Sequence, residues 1–271
     1  MWRRDRLESE KIGAGSDVLI YSDGKKWLRR VEPDKTFQTH RGIVDFKEVI
    51  GRNFGDSIKS SLGFDFWIFR PTLEDYIRHS KRTTQIMYPK DIGLILVKSG
   101  IGPGSVVVEA GTGSAALTTA LARFVKPSGH VFTYEIRSEF IRVAEENLRR
   151  AEVLEFVTIH NRDAKQGFYE RNVDAIYLDV GDPWELAPQA AVALRGGSIL
   201  TSFSPTFNQV EKMVAALEAE GFLDIETLEC LERRILVREG KSRPASRMIA
   251  HTGFITFARK TLRSKPQQPE T

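Results

Sequence analysis

Hydrophobic positions in the first eighty residues come in short runs broken by glycine, proline and charge. Runs at residues 18–21 and 27–31 flank Ser22-Asp23-Gly24-Lys25, and Asp-Gly between two such runs is a hairpin signal. Further runs at 43–46 and 64–69 are each bounded by Gly or Pro. The pattern predicts a small β-module over residues 1–80. A polar connection near residues 72–84 leads into a second domain.

From about residue 85 the pattern changes to alternating strands and helices. Residues 106–110 form a β-branched run, and 114–125 carry helical character. A strand is predicted at 130–135, followed by a helix with Ile136, Phe140, Ile141, Ala144 and Leu148 on one face. Strands follow at 156–160, 175–179 and 198–203. Val210, Met213, Val214 and Leu217 fall at i, i+3, i+4 and i+7, one face of another helix. Residues 225–228, 235–237 and 254–258 are late strands, expected as antiparallel closers. Over residues 81–260 this alternation predicts a doubly wound α/β domain with a mostly parallel sheet and ligands at the strands' carboxyl ends. The segment 261–271, with Pro266, Gln267, Gln268 and Pro269, is expected to be disordered.

Composition narrows the class. Of 271 residues, 41% are apolar and 28% charged, enough for a sizeable core and unlike a disordered chain. The longest apolar runs, such as 92–97, are too short to cross a bilayer. Arg3, Arg4 and Arg6 precede no apolar segment of the signal-peptide kind, so a cytoplasmic protein is expected. Cys230 is the lone cysteine and the five histidines lack ligand spacing, so neither an internal disulfide nor a metal site is expected. The net charge of +4 is N-terminal: residues 1–82 hold 17 Lys/Arg against 13 Asp/Glu, and residues 83–271 hold 23 of each. Such a surplus is compatible with phosphate neutralisation in a nucleic acid and does not by itself establish it.

The chemistry centres on Val106-Val107-Val108-Glu109-Ala110-Gly111-Thr112-Gly113-Ser114-Ala115-Ala116. A strand feeds a glycine turn that opens a helix, leaving the amides of Ser114, Ala115 and Ala116 at a positive helix end suited to a carboxylate or phosphate. The spacing also satisfies Gly-x-Gly-x-x-Ala, so a nicotinamide-dependent oxidoreductase stays open. Acidic residues separate the two. Glu135 ends the second strand, where a carboxylate can accept both ribose hydroxyls. Asp163, beside Ala164, follows the third strand and suits an adenine amino group. Asp179 ends the fourth. A dinucleotide pyrophosphate disfavours so many carboxylates, whereas the zwitterionic sulfonium S-adenosylmethionine suits them.

On these residues the chain resembles the tRNA adenine-N1 methyltransferase family, over nearly its whole length. Thr84-Gln85-Ile86-Met87-Tyr88-Pro89-Lys90-Asp91-Ile92 resembles the family's entry to the catalytic domain, and Glu109-Ala110-Gly111-Thr112-Gly113-Ser114 its cofactor loop. Tyr134-Glu135, Leu178-Asp179 with Pro183-Trp184, Ser202-Phe203-Ser204-Pro205 with Gln209, Arg243-Pro244, and His251-Thr252-Gly253 resemble its later motifs. The resemblance implies a Rossmann-like class I S-adenosylmethionine-dependent methyltransferase fold, methylating a T-loop adenine. It further implies a homotetramer that acts on tRNA without metal. Gly111, Gly113, Ser114, Ala115 and Ala116 would hold the methionine part of the cofactor, Glu135 the ribose, and Asp163 with Ala164 the adenine. Met87 would pack near the cofactor. Asp179 would touch the methyl donor and the target base, as the catalytic carboxylate. Tyr88, Trp184 and His251 are candidates for stacking on the base, which must leave its stack to be reached. Phe140 stands where relatives carry a polar side chain.

Two other readings compete. A dehydrogenase would need a second nucleotide-binding half, which the sequence does not display. A non-catalytic RNA-binding subunit should lack the intact loop, yet Gly111, Gly113, Ser114, Glu135 and Asp179 are all present.

Overall fold

The computed structural model describes residues 11–82 and 85–262. Arg3, Arg4, Arg6 and Thr84 therefore lie outside the described residues, as do positions 263–271 of the tail expected to be disordered. The chain divides into two compact units, Met1–His79 and Ser80–Thr271.

In the first unit, β1 (Asp17–Ser22) and β2 (Lys25–Arg30) form the hairpin that the Asp-Gly pair predicts. Asp23 (φ 48°) and Gly24 (φ 78°) both adopt the left-handed conformation that a two-residue turn of this hand requires. A second hairpin joins β3 (Thr36–Thr39) to β4 (Gly42–Asp45). The run predicted to end at residue 46 stops one residue earlier, because the Asp45 side chain accepts from the Lys47 amide and caps α1 (Phe46–Val49). With β5 (Ser57–Lys59) and β6 (Asp65–Phe69), the main sheet has the order β2-β1-β6-β5. Its inner face contributes Val18, Ile20, Ile58, Phe66 and Ile68 to a core closed by Phe37 and Phe46. The connection read as merely polar contains a helix, α2 (Leu73–Arg78). Thr72 and Asp75 form a reciprocal capping box there, which supplies the helix start that hydrophobic periodicity did not reveal.

The second unit opens with α3 (Pro89–Ser99), whose proline occupies the first turn, where no intrahelical amide bond is lost. Then follow β7 (Val106–Ala110), α4 (Ala116–Val125), β8 (His130–Tyr134), α5 (Ser138–Arg150), β9 (Val157–His160), β10 (Val173–Leu178), α6 (Ala187–Ala193), β11 (Leu194–Ser204), α7 (Phe207–Ala219) and β12 (Leu223–Glu229). A short hairpin, β13 (Ile235–Leu236) with β14 (Arg243–Pro244), precedes the last strand, β15 (Phe254–Arg259). The large sheet has seven strands in the order β12-β15-β11-β10-β7-β8-β9. Strands β11, β10, β7, β8 and β9 are mutually parallel, and β15 inserts antiparallel between β11 and β12. Buried Val108, Ile176, Leu178, Leu200, Met213 and Leu217 share one core beneath α6 and α7.

Two expectations change. Residues 235–236 pair only within their own hairpin and do not join the large sheet. Ile136 precedes α5 and is 65% exposed, so the buried face of that helix is carried by Ala144, Asn147 and Leu148. Among the described residues, no helix is long and apolar enough to cross a membrane.

Candidate functional site

The sheet reverses its winding between β7 and β10, which are neighbours although far apart in sequence. Such a switch point opens a crevice at the strands' carboxyl ends. Gly111 leaves β7 there, and Asp179 leaves β10. Gly111 has φ 98°, and a Cβ on it would lie 2.0 Å from the Asp179 carbonyl oxygen. Glycine is thus required because the two strand exits press together, and not only to admit a ligand. The Asp179 amide donates to the Ala110 carbonyl at 2.9 Å and locks the same junction.

Helix α4 begins at Ala116, two residues later than the periodicity predicts, because Ala115 takes the left-handed conformation (φ 60°). For a residue with a side chain this conformation costs about 1–2 kcal/mol, a strain of the kind that clusters at ligand sites. The loop is braced from several directions. Glu135 accepts from the Gly113 amide (3.0 Å) through Oε2 and from the Arg137 amide (3.0 Å) through Oε1. Thr112 and Thr133 hydroxyls meet at 2.6 Å, and the buried Asn147 amide of α5 donates to the Ser114 carbonyl at 3.0 Å.

A cavity of about 170 Å³ is lined by Met87, Glu109, Gly111 through Ser114, Ala116, Glu135, Arg137 and Asp179. It shares Gly111, Glu135, Arg137 and Asp179 with a second of about 490 Å³, which runs over Ile136, Arg162, Asp163, Ala164, Lys165 and Leu186. A third, about 200 Å³, reaches Asp179 from the other side between Met87, Tyr88, Phe203, Pro205 and Thr252. Asp179 is common to all three.

Three carboxylates, Glu109, Glu135 and Asp179, line the first cavity. Glu109 is buried, its Oε2 accepting from the Thr118 hydroxyl at 2.6 Å. Burial pushes its carboxyl up to about 8 against the opposing Thr118 and Thr133 hydrogen bonds, with the charges of Asp179 and Glu135 adding to the rise. Asp179 is open to the crevice while protein encloses it on its other sides, and that enclosure lifts its carboxyl to about 6. Glu135 is 4% exposed and has a distant cationic neighbour, Arg137 Nε at 3.6 Å.

The structure gathers Met87, Gly111, Gly113, Ser114, Ala116, Glu135, Asp163, Ala164 and Asp179 along these cavities. Ala115 is fully buried and shapes the loop from behind. Asp163 Oδ1 accepts from the Lys165 amide at 2.9 Å, capping the short turn Ala164–Gln166. Among the three stacking candidates, Tyr88 lines the third cavity. His251 stands beside it, bonding the Pro205 carbonyl (2.9 Å) and Glu229 (2.7 Å), two contacts that raise its pKa. Trp184 is not among the lining residues; it packs against the core with Lys212 4.5 Å above its ring. Arg137, Arg162 and Gln85 line the cavities without having been singled out, since an isolated arginine or glutamine carries no distinctive spacing.

The arrangement fits a zwitterion bearing a sulfonium. A helix amino end faces a carboxylate, and acids face positive charge. The apolar faces of Ile136 and Leu186 sit near the Asp163–Ala164 turn, where a heterocycle can lie. Among the described residues, no cluster of His, Cys, Asp or Glu could hold a metal ion.

Comparison with known proteins agrees with this geometry. Residues 64–243 match the family described as tRNA methyltransferase complex GCD14 subunit. The tRNA (adenine(57)-N(1)/adenine(58)-N(1))-methyltransferase TrmI of Methanocaldococcus jannaschii is 39% identical, the alignment covering 89% of this chain and 94% of that protein. The tRNA (adenine(58)-N(1))-methyltransferase TrmI of Thermus thermophilus is 33% identical over 91% and 97%. Among solved structures, TrmI from Aquifex aeolicus superimposes with a TM-score of 0.83 at 33% identity, covering 94% of this chain and all of that one. A SAM-dependent O-methyltransferase from Thermotoga maritima gives 0.89 at 39% identity, covering 94% and 96%. Fold, crevice and sequence thus converge, and the chain belongs to the tRNA (adenine-N1)-methyltransferase family.

Proposed function

We propose that this chain methylates N1 of adenine in the T loop of tRNA, at position 58, which both relatives named above share, with position 57 open as a second target as in the Methanocaldococcus jannaschii protein, and with S-adenosylmethionine as donor. One observation carries the reading: Asp179 borders both the carboxylate-lined cavity and the adjoining cavity beside Tyr88 and Thr252, so a single group can face donor and acceptor. When bound, the donor would supply an electrophilic methyl group, its bond to sulfur breaking as the bond to N1 forms and leaving a neutral thioether. Glu135 has further lone pairs for ribose hydroxyls beyond its two amide bonds. The amides opening α4 would hold the carboxylate end of the donor.

Adenine N1 attacks through its own lone pair, so no residue needs to remove a proton first. Positive charge then grows on the ring. Asp179, ionised above about pH 6, accepts from the exocyclic amino group and offsets that charge while holding N1 in line. The intact loop and both acids favour a catalytic chain over an inactive partner. Residues 1–80 we assign to tRNA contact or assembly, and the working form to a homotetramer. A T-loop transcript incubated with labelled donor and then digested should yield 1-methyladenosine. Label on another base, or none, would reject the assignment.

A further inference from the structure

Besides Asp179, Phe203 and Pro205, the third cavity is lined from two segments that belong to no helix or strand, residues 85–88 and the segment 245–253 through Thr252. Neither is held by a strand ladder. What joins them is a buried charged cluster. Lys90 Nζ, on a side chain 6% exposed, donates to Asp91 Oδ1 (2.7 Å), to the Cys230 carbonyl (2.6 Å) and to Thr252 Oγ1 (2.6 Å). The Thr252 hydroxyl in turn donates to Asp91 Oδ2 at 2.8 Å, and the Asp91 side chain is fully buried.

The hydrogen-bond inventory closes. An ammonium has three N–H groups, and all three are used. Both Asp91 oxygens accept, and the threonine hydroxyl both gives and receives. A buried ion pair of this sort contributes little net stability compared with apolar packing, since desolvation offsets the attraction. Its distinguishing property is directional: each partner has one arrangement in which all bonds are made. Two positions before Lys90, Tyr88 lines the cavity as the N-cap of α3. Thr252 lines it directly, and next to it Gly253 lies so close to the Phe203 ring that a Cβ would come within 2.4 Å.

We infer that Lys90, Asp91 and Thr252 are positioning residues that set the width and orientation of the pocket for the target base, opposite Asp179. This rests on the methyltransferase reading above. None of the three needs to touch the donor. Loss of the Thr252 hydroxyl frees one N–H of Lys90 and one oxygen of Asp91, and lets the 251–253 segment drift from Tyr88.

The test compares Thr252→Val, which keeps shape and removes the hydroxyl, with Thr252→Ser, which keeps the hydroxyl. In single turnovers at saturating S-adenosylmethionine, Thr252→Val should slow methyl transfer on the order of 10–100-fold, the scale of a small misplacement of reacting groups. Donor affinity should change by less than about threefold, because Thr252 does not line the carboxylate-lined cavity, and Thr252→Ser should recover most of the rate. Hydrogen exchange, which needs no turnover, should rise at Met87, Tyr88 and residues 251–253 in Thr252→Val alone. Wild-type rate with unchanged exchange in Thr252→Val would overturn the inference. So would equal losses in the Val and Ser variants. Absence of methyl transfer by the wild-type chain would instead reject the function, and the exchange result would still decide the positioning role.

Discussion

The two ends of the seven-stranded sheet treat charge in opposite ways. At the amino end of the parallel strands, Lys98 pairs with Glu226 (2.5 Å), Arg195 with Asp174 (2.7 Å), and Arg259 with Asp224 (2.9 Å). Each acid there has its own base, and Asp174 also accepts from the Val106 amide at 2.8 Å. At the carboxyl end, Glu109, Glu135 and Asp179 crowd one crevice, with Arg137 Nε no nearer than 3.6 Å to Glu135. Matched charges stabilise a surface modestly. Carboxylates in a partly closed crevice cost stability unless a cation arrives: burial lifts Glu109 and Asp179, and the charges of Asp179 and Glu135 add to the rise at Glu109. The crowded end, with one loose ion pair among three carboxylates, suits a ligand, and the paired end the fold.

The largest effect expected from breaking that asymmetry is at Asp179. Asn retains the shape and loses the charge, so Asp179→Asn and Asp179→Ala should each slow methyl transfer by about 10²–10³ at saturating donor. Transfer RNA affinity should persist through phosphate contacts. Stability should move the other way. The folded pKa of Asp179 lies above its ordinary value, so its ionisation opposes folding as pH rises past that value, and Asp179→Asn should melt no lower than wild type at pH 7. The wild-type rate should fall as pH drops through about 6, where this carboxylate takes up a proton. A rate profile flat between roughly pH 5 and 8 would remove Asp179 from the chemistry.

Glu135→Ala comes next. On the proposed reading it removes two hydrogen bonds to the donor's ribose, each worth roughly 1.5–3 kcal/mol when charge-assisted, and it also removes the brace on Gly113. Donor affinity should drop at least about tenfold in calorimetry. Unchanged affinity in a folded variant would place the ribose elsewhere. The smallest effect is Ala115→Gly. Relief of the left-handed strain should raise stability by about 1 kcal/mol, read as a higher melting temperature, unless the added backbone freedom cancels it. A clear loss of stability would show that the buried Ala115 methyl matters more than its φ.

Much of this crevice was legible in the sequence because its parts are local. Val106-Val107-Val108 followed by Gly111 and Gly113 dictates a strand and a turn within eight residues. Glu135 and Asp179 stand at strand ends that alternation locates to within about one residue. What stayed hidden depends on chain segments distant in sequence. Thr252 and Asp91 are 161 residues apart, and Asn147 reaches Ser114 across 33. No spacing rule announces such pairs. The role of Gly111 was only half visible, since the Asp179 carbonyl that excludes a side chain arrives from β10. Helix α2 was hidden for a different reason: its signal is a capping box, and its apolar positions are too few to show a period.

The contrast between the two ends is tested most directly by hydrogen exchange of the full chain with and without saturating S-adenosylmethionine. Protection is expected at residues 111–116, 135–137, 163–166 and 179–182, and none at the paired end around Lys98, Asp174, Arg195 and Arg259. Protection confined to the paired end, or a saturable response to NAD with none to S-adenosylmethionine, would contradict it.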